Sequence, residues 1–196
     1  MNFAPNPSFE EGLENEKVFD WSEEWRDNAD FQWNIGVAHT QLHSLLIRGS
    51  VKAGGWTPAG WKSIGFPVFK GKRYTFTSLV KTRDATGDTY LVISWYGPKG
   101  WIGNSNNGFS LSGNMGWTKL SVSDIPPKEA TYGILYLRSD NNTGSTWFDD
   151  VELNITEQNL VDIAVPDNSF ELQSGFWQVW QSEGHARNMS VDNTHS

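Results

Sequence analysis

A chain of 196 residues has room for one domain of ordinary size with a remainder, or for two very small ones. Its formal charge of -8 and pI near 4.9 argue against a nucleic-acid backbone as partner, because that affinity rests on Lys and Arg neutralising phosphates. The absence of cysteine rules out a disulfide scaffold and a thiolate zinc site, and no apolar run approaches the roughly 20 residues that cross a bilayer, so no membrane partner is expected.

Gly, Trp and Phe are plentiful, and no long pattern with a 3.6-residue period stands out, which favours an all-β domain rich in turns. Residues 2–12 hold Pro5 and Pro7 and read as an extended lead-in strand at an edge, since proline cannot donate to a ladder. Residues 13–30 mix charges with Trp21 and Trp25 without strand alternation and read as a long loop carrying aromatics. Phe31, Trp33 and Ile35 alternate with polar residues and 44–48 is a short apolar run, giving two strands across a turn at 39–43. The glycines and Pro58 of 54–61 predict an exposed loop that holds Trp56 and Trp61. Residues 74–81 and 89–96 read as a β-hairpin turning through 84–88. A loop with Trp101 follows, then a strand over 117–123, a break at Pro126-Pro127, and strands over 131–139 and 145–154. Eight to ten strands at this spacing predict a two-sheet antiparallel β-sandwich.

Trp147-Phe148-Asp149-Asp150-Val151-Glu152-Leu153 is the stretch around which the chain is organised. At the two-residue period of a strand, Asp149 shares the apolar side with Trp147, Val151 and Leu153. A charge there needs a cation, a dense hydrogen-bond cage or a position at the edge of the core. A metal is the simplest partner, and if the first and last strands lie side by side, Glu10 or Glu11 can meet Asp149 or Asp150 around a hard cation. His39 and His43 lack a carboxylate at useful spacing and are not read as a metal pair.

In the strand over 131–139, Leu135 and Leu137 fit the core side, which turns Tyr132, Ile134, Tyr136 and Arg138 to the other face. Tyrosines with an arginine on an outward face make a sugar platform, because sugar C–H faces pack on aromatic rings while polar groups bond the hydroxyls. Tyr96, at a strand end, and Trp21 and Trp25, in the first loop, are candidates to complete it. Trp33, Trp95, Trp117 and Trp147 are expected in the core; Trp56, Trp61 and Trp101 suit packing and binding equally.

Pro166-Asp167-Asn168-Ser169-Phe170-Glu171 restates Pro5-Asn6-Pro7-Ser8-Phe9-Glu10, and Trp177 and Trp180 echo Trp21 and Trp25. A period this long signals tandem domains. The expected organisation is therefore a binding module over 1–157, then a linker and the truncated start of a second copy over 158–196, too short for a core of its own, in a parent that continues beyond Ser196.

Asn-Pro-Ser-Phe-Glu-x-Gly with a following Trp, His39 through Ser44-Leu45, Tyr74-x-Phe76 with Val80-Lys81, Trp117, and Trp147-Phe148-Asp149-Asp150-Val151 together resemble carbohydrate-binding modules of the family 4, 9, 16 and 22 type. The resemblance runs from Asn2 to about Ile155. It implies a jelly-roll, galactose-binding-like β-sandwich with a structural calcium, appended to a secreted polysaccharide-degrading enzyme. By that likeness Glu10 and Asp149 are calcium ligands, with Asp150 and Glu11 as companions.

The expected activity is non-catalytic, monomeric binding of a neutral polysaccharide of β-glucan, xylan or mannan type. A structural or protein-interaction sandwich is the alternative. A jelly-roll glycoside hydrolase or lyase is disfavoured, since the Glu-x-Asp-x-Glu type of spacing on one strand face does not occur, Asp149 and Glu152 fall on opposite faces, and Glu23-Glu24 sit in a loop.

Overall fold

The computed structural model describes residues 1–13, 17–49, 55–108 and 110–157. Those residues form twelve strands and one 3-10 turn. In chain order they are β1 (Gly12–Leu13), β2 (Lys17–Val18), β3 (Trp21–Glu24), the turn Arg26–Asn28, β4 (Ala29–Ile35), β5 (His43–Gly49), β6 (Gly60–Ser63), β7 (Phe66–Pro67), β8 (Lys72–Gly97), β9 (Gly100–Asn106), β10 (Leu111–Asp124), β11 (Tyr132–Asp140) and β12 (Ser145–Glu157). All pairings are antiparallel, and apart from the small β1–β2 ladder they make two layers. One runs β4-β5-β12-β8-β10 and the other β3-β6-β11-β8-β9, with β7 on the start of β11. This is a jelly-roll β-sandwich.

The layers share β8, and here the expected hairpin is corrected. Residues 72–83 pair with β12 and 88–96 with β11, so the chain passes from one sheet to the other without reversing. The turn chemistry of 84–88 serves a corner instead of a loop. Asp84 takes a left-handed φ of 53°, and the Thr86 N–H donates to the Asn142 side chain at 3.0 Å. At Gly87 a Cβ would lie 2.0 Å from the Asp140 carbonyl oxygen, so only glycine lets the β11–β12 connection close over the corner.

Alternation builds the core. Leu45 and Ile47 from β5, Phe76, Val80, Leu91, Ile93 and Trp95 from β8, Leu120 from β10, and Leu135 and Leu137 from β11 meet between the layers, all fully or almost fully buried. The lead-in lies beside β12 as expected, with the Phe3 N–H donating to Leu153 O and the Val151 N–H to Pro7 O. Residues 13–30 depart from the expected loop, since Trp21–Glu24 adds an edge strand to the second layer. Among the tryptophans Trp61 joins the core at 4% exposure, whereas Trp56 is 65% exposed. The expected second copy over 158–196 lies outside the described residues.

In β12 the expected phase fails at a β-bulge. The register with β8 shifts between Asp149 and Glu152, and Asp150 has a φ of 47°. Phe148, Val151 and Leu153 therefore all join the core between the layers, whereas Trp147 lies outside that cluster. Trp147 and Asp149 share the outer face of their sheet, and Asp149 is nonetheless completely buried.

Candidate functional site

The outer face of the β3-β6-β11-β8-β9 layer is where polar and aromatic side chains gather. Along β11 the buried Leu135 and Leu137 leave Tyr132, Ile134, Tyr136 and Arg138 pointing outward, as the alternation requires. Register then sets their neighbours. Tyr132 stands opposite Tyr96, and Arg138 opposite Tyr90 on one side and Gly60 on the other. Tyr136 stands opposite Lys62, which in turn faces Ser22, and Ser94 stands opposite Asn104.

Two aromatic walls result, about 20 Å apart along the strand at a rise near 3.3 Å per residue. At one end Tyr96 and Tyr132 stack with centroids 4.9 Å apart and planes 8° apart, and Trp101 lies opposite Tyr96 with its indole N–H on Asn104 Oδ1 at 2.9 Å. At the other end Trp25, Trp56 and Tyr90 surround the Arg138 guanidinium at 4.2, 5.6 and 5.7 Å. Tyr136 spans the gap, its ring 6.1 Å from Trp25 and its hydroxyl bonded to Tyr96. Burial, then that hydrogen bond, pushes its hydroxyl pKa up. Trp56 (65%), Trp101 (62%), Tyr132 (40%) and Trp25 (37%) keep ring surface open to a ligand.

Charges on this face are paired within the protein. Lys62 Nζ bonds Glu24 at the β3–β6 rim. Arg138 donates from Nε to Asp140 Oδ1 (3.0 Å) and from Nη2 to Oδ2 (2.6 Å), and both residues are buried. Asp140 also accepts from the Tyr90 hydroxyl at 2.6 Å; burial, and after it that bond, raises the Tyr90 pKa.

Of the expected platform, Tyr96, Tyr136, Arg138 and Trp25 come together here, but not in equal roles. Tyr136 and Arg138, at 7% and 8% exposure, support the rings above them more than they offer open surface. Trp21 is corrected. In β3 it points between the layers, 5% exposed, its ring edge-on to Phe9 and its N–H on Pro5 O at 3.0 Å, so its face is spent on the core. Sequence reasoning left Trp56 undecided and passed over Tyr90, Lys62 and Asn104. Tyr132, which the alternation had already turned outward with Tyr136, stands on this face as expected. A cleft of about 1120 Å³ also opens between the edge strands β3 and β4, lined by Trp21, Phe31, Trp33, Glu23 and Arg26. Its tryptophans, Trp21, Trp33 and Trp61, already spend their N–H groups on Pro5 O, Phe9 O and Leu46 O.

The four carboxylates lie elsewhere, around the segment 37–43. Asp149 Oδ2 accepts from the His39 N–H (2.6 Å) and the Thr40 N–H (3.1 Å), and Oδ1 from the Asp150 N–H (2.7 Å). The hydrogen-bond cage is thus the arrangement found. Burial nonetheless outweighs these donors and holds the Asp149 pKa above the usual carboxylate range. Asp150 pairs with His39 Nδ1 at 2.6 Å and accepts from the Thr40 hydroxyl. Glu10 sits across the segment, accepting from the Leu42 and His43 N–H groups (3.0 and 2.8 Å) and pairing with His43 Nδ1 at 2.7 Å. Burial raises its pKa, but the His43 and Leu42 bonds together overcome that and lower it. Glu11 is exposed. Among the described residues no three His, Asp or Glu side chains are grouped closely enough to hold a metal ion as they stand.

No family model matches the chain, and no curated protein does. Solved structures do. The enzymatically active domain of bacteriophage CBA120 tailspike protein 4 aligns over 79% of this chain and 21% of its own, at 12% identity and a TM-score of 0.58. The CBM22-1–GH10 modules of Clostridium thermocellum xylanase Xyn10B, complexed with xylohexaose, align over 72% of this chain and 27% of their own, at 18% identity and a TM-score of 0.53. The chain thus spans about a fifth to a quarter of those two. The CBM22-1 xylan-binding domain of Paenibacillus barcinonensis Xyn10C aligns over 76% of this chain and 92% of its own, at 16% identity and a TM-score of 0.54. The chain therefore has the fold of these carbohydrate-binding modules, the fold its motifs led one to expect.

Proposed function

We propose that this chain binds a neutral polysaccharide of β-glucan, xylan or mannan type on the outer face of the β3-β6-β11-β8-β9 layer, without cleaving it. The observation that carries this reading is the set of four open rings, Trp25, Trp56, Trp101 and Tyr132, flanking a polar floor whose charges are already paired. Rings stack on the C–H faces of sugars, and Asn104, Lys62 and Glu24 lie along the same face to bond hydroxyls. Among the described residues, Lys62 and Arg138 on this face are both paired to carboxylates and offer a polyanion no free cluster of cations. Hydrolysis needs two carboxylates about 5 to 10 Å apart across a cleft, one of them proton-bearing; here Glu24 is tied to Lys62 and Asp140 is buried on Arg138.

Two parts of the reading rest on the family resemblance more than on the site. One is attachment to a larger secreted glycan-degrading enzyme. The other is a structural calcium at Glu10 and Asp149, which the complete burial of the Asp149 carboxylate supports and which requires the 39–43 amides to yield. No step of sugar binding depends on that ion. Calorimetric titration against soluble β-glucan, xylan and mannan, with a reducing-end assay on the same mixtures, tests the proposal. Saturable binding without new reducing ends is expected. Binding to none of them would leave the alternative of a structural or protein-interaction sandwich, and release of reducing ends would make the chain an enzyme.

A further inference from the structure

Arg138 occupies an enclosure that the protein builds from its own side chains. Trp25, Trp56 and Tyr90 stand around the guanidinium, and Asp140 takes its edge through two hydrogen bonds. Aromatic faces attract a cation between them, and a carboxylate gripping the guanidinium fork fixes the plane of the group. The two tryptophans thus rest against a shelf whose orientation is set from below.

Asp140 is 1% exposed, out of reach of a ligand in the groove. Its carboxylate does more than hold Arg138. It accepts from the Ala59 N–H at 3.1 Å, in the segment that carries Trp56, and from the Tyr90 hydroxyl. The neighbouring Asn141 side chain accepts from the Thr57 N–H at 2.7 Å, and Asn28, just past Trp25, donates to Pro58 O at 2.9 Å. Trp25 and Trp56 lie far apart in sequence, and this buried junction at the end of β11 ties their segments together.

We infer that Asp140 is a positioning residue for the groove: acting through the Arg138 guanidinium, and steadied by Tyr90, it sets the placement of Trp25 and Trp56 and so the form of the wall a sugar chain meets. The inference rests on the glycan-binding reading for its functional consequence. Its structural content, guanidinium-dependent placement of two indoles, stands apart from any ligand.

The test uses the full chain, labelled with fluorotryptophan, with Trp25→Phe and Trp56→Phe to assign the two fluorine resonances. Arg138→Ala is expected to shift both resonances and to weaken binding to whichever panel glycan the parent takes up, roughly tenfold. Added methylguanidinium should return the resonances and the affinity toward the parent values by refilling the enclosure. In Arg138→Ala/Asp140→Asn the same additive should restore neither, a dependence that a merely structural role for Asp140 would not produce. Should that double variant not fold, Arg138→Ala/Tyr90→Phe, which removes only the hydroxyl on Asp140, is expected to need more methylguanidinium for the same recovery. Unshifted resonances in Arg138→Ala, or equal rescue with and without an intact Asp140 site, would overturn the inference. If the parent binds no glycan while the resonances behave as described, the glycan reading fails and the positioning role survives.

Discussion

Replacing Trp56 with alanine separates a binding ring from a packing ring. Trp56 keeps 65% of its surface exposed in a side chain of about 250 Å², which leaves roughly 160 Å² open. A sugar stacked on one face would cover about half of that, about 80 Å², and at ~25 cal/mol per Å² this contributes about 2 kcal/mol, a factor of roughly 30 in affinity. The buried remainder is a similar area, so the stability lost on truncation is at most about 2 kcal/mol and smaller once the unfolded chain's own burial is counted. Trp95, at 1% exposure, is the contrasting case, and its truncation should cost about 3 to 5 kcal/mol of stability. Calorimetric titration of Trp56→Ala beside a thermal melt reads both quantities. A variant that binds as tightly as the parent, or one that unfolds as readily as Trp95→Ala, would refute the assignment of Trp56 to the groove wall.

Chelation is expected to lower the melting temperature if calcium holds Glu10 and Asp149, since an ion bound only by the folded state stabilises it by mass action; an unchanged melt with no metal by elemental analysis would remove calcium from the account. The depressed Glu10 pKa makes a signed prediction. Its ionised form contributes stability that is fully present above the unfolded value of about 4.3 and is lost as pH falls through the lower folded value, so Glu10→Gln should flatten the stability profile in that window. An unaltered profile would show that the His43 and Leu42 bonds do not matter to folding. Gly87→Ala would place a methyl 2.0 Å from the Asp140 carbonyl oxygen and should lower the melting temperature by roughly 5 °C, in line with overpacking costs of about 1 to 3 kcal/mol; a melt within a degree of the parent would mean the corner is slack.

Local alternation carried most of what could be read in advance. Leu135 and Leu137 told which way Tyr136 and Arg138 point, because β11 runs without a bulge and the two-residue period holds along it. The same rule misled in β12, where Asp150 adopts a left-handed conformation and shifts the phase, so Asp149 is buried as expected but on the outer side of its sheet. Trp21 and Trp25 looked alike in a charged segment. Only the pairing of β3 with β6 turns Trp21 inward, and the left-handed backbone at Trp25 ends that alternation. The corner at 84–88 carries the residues of a hairpin turn, but its flanking segments pair with β12 and β11 instead of each other, and the β11–β12 connection closes over Gly87, contacts with no local trace. Tyr90 and Lys62 escaped notice for the same reason, since each acquires its partner across strands far apart in sequence, whereas Asp140 stands two residues from Arg138 on β11 and shares its face, a local signal that could have paired them.

Mapping amide and side-chain resonances while a bound glycan is titrated in tests the placement of the site most directly. Shifts are expected at Lys62, Asn104 and Tyr132 and on the indoles of Trp25, Trp56 and Trp101, with the β4-β5-β12 face unaffected. Shifts confined to that opposite face, or to the cleft between β3 and β4 at Phe31 and Trp33, would contradict the account.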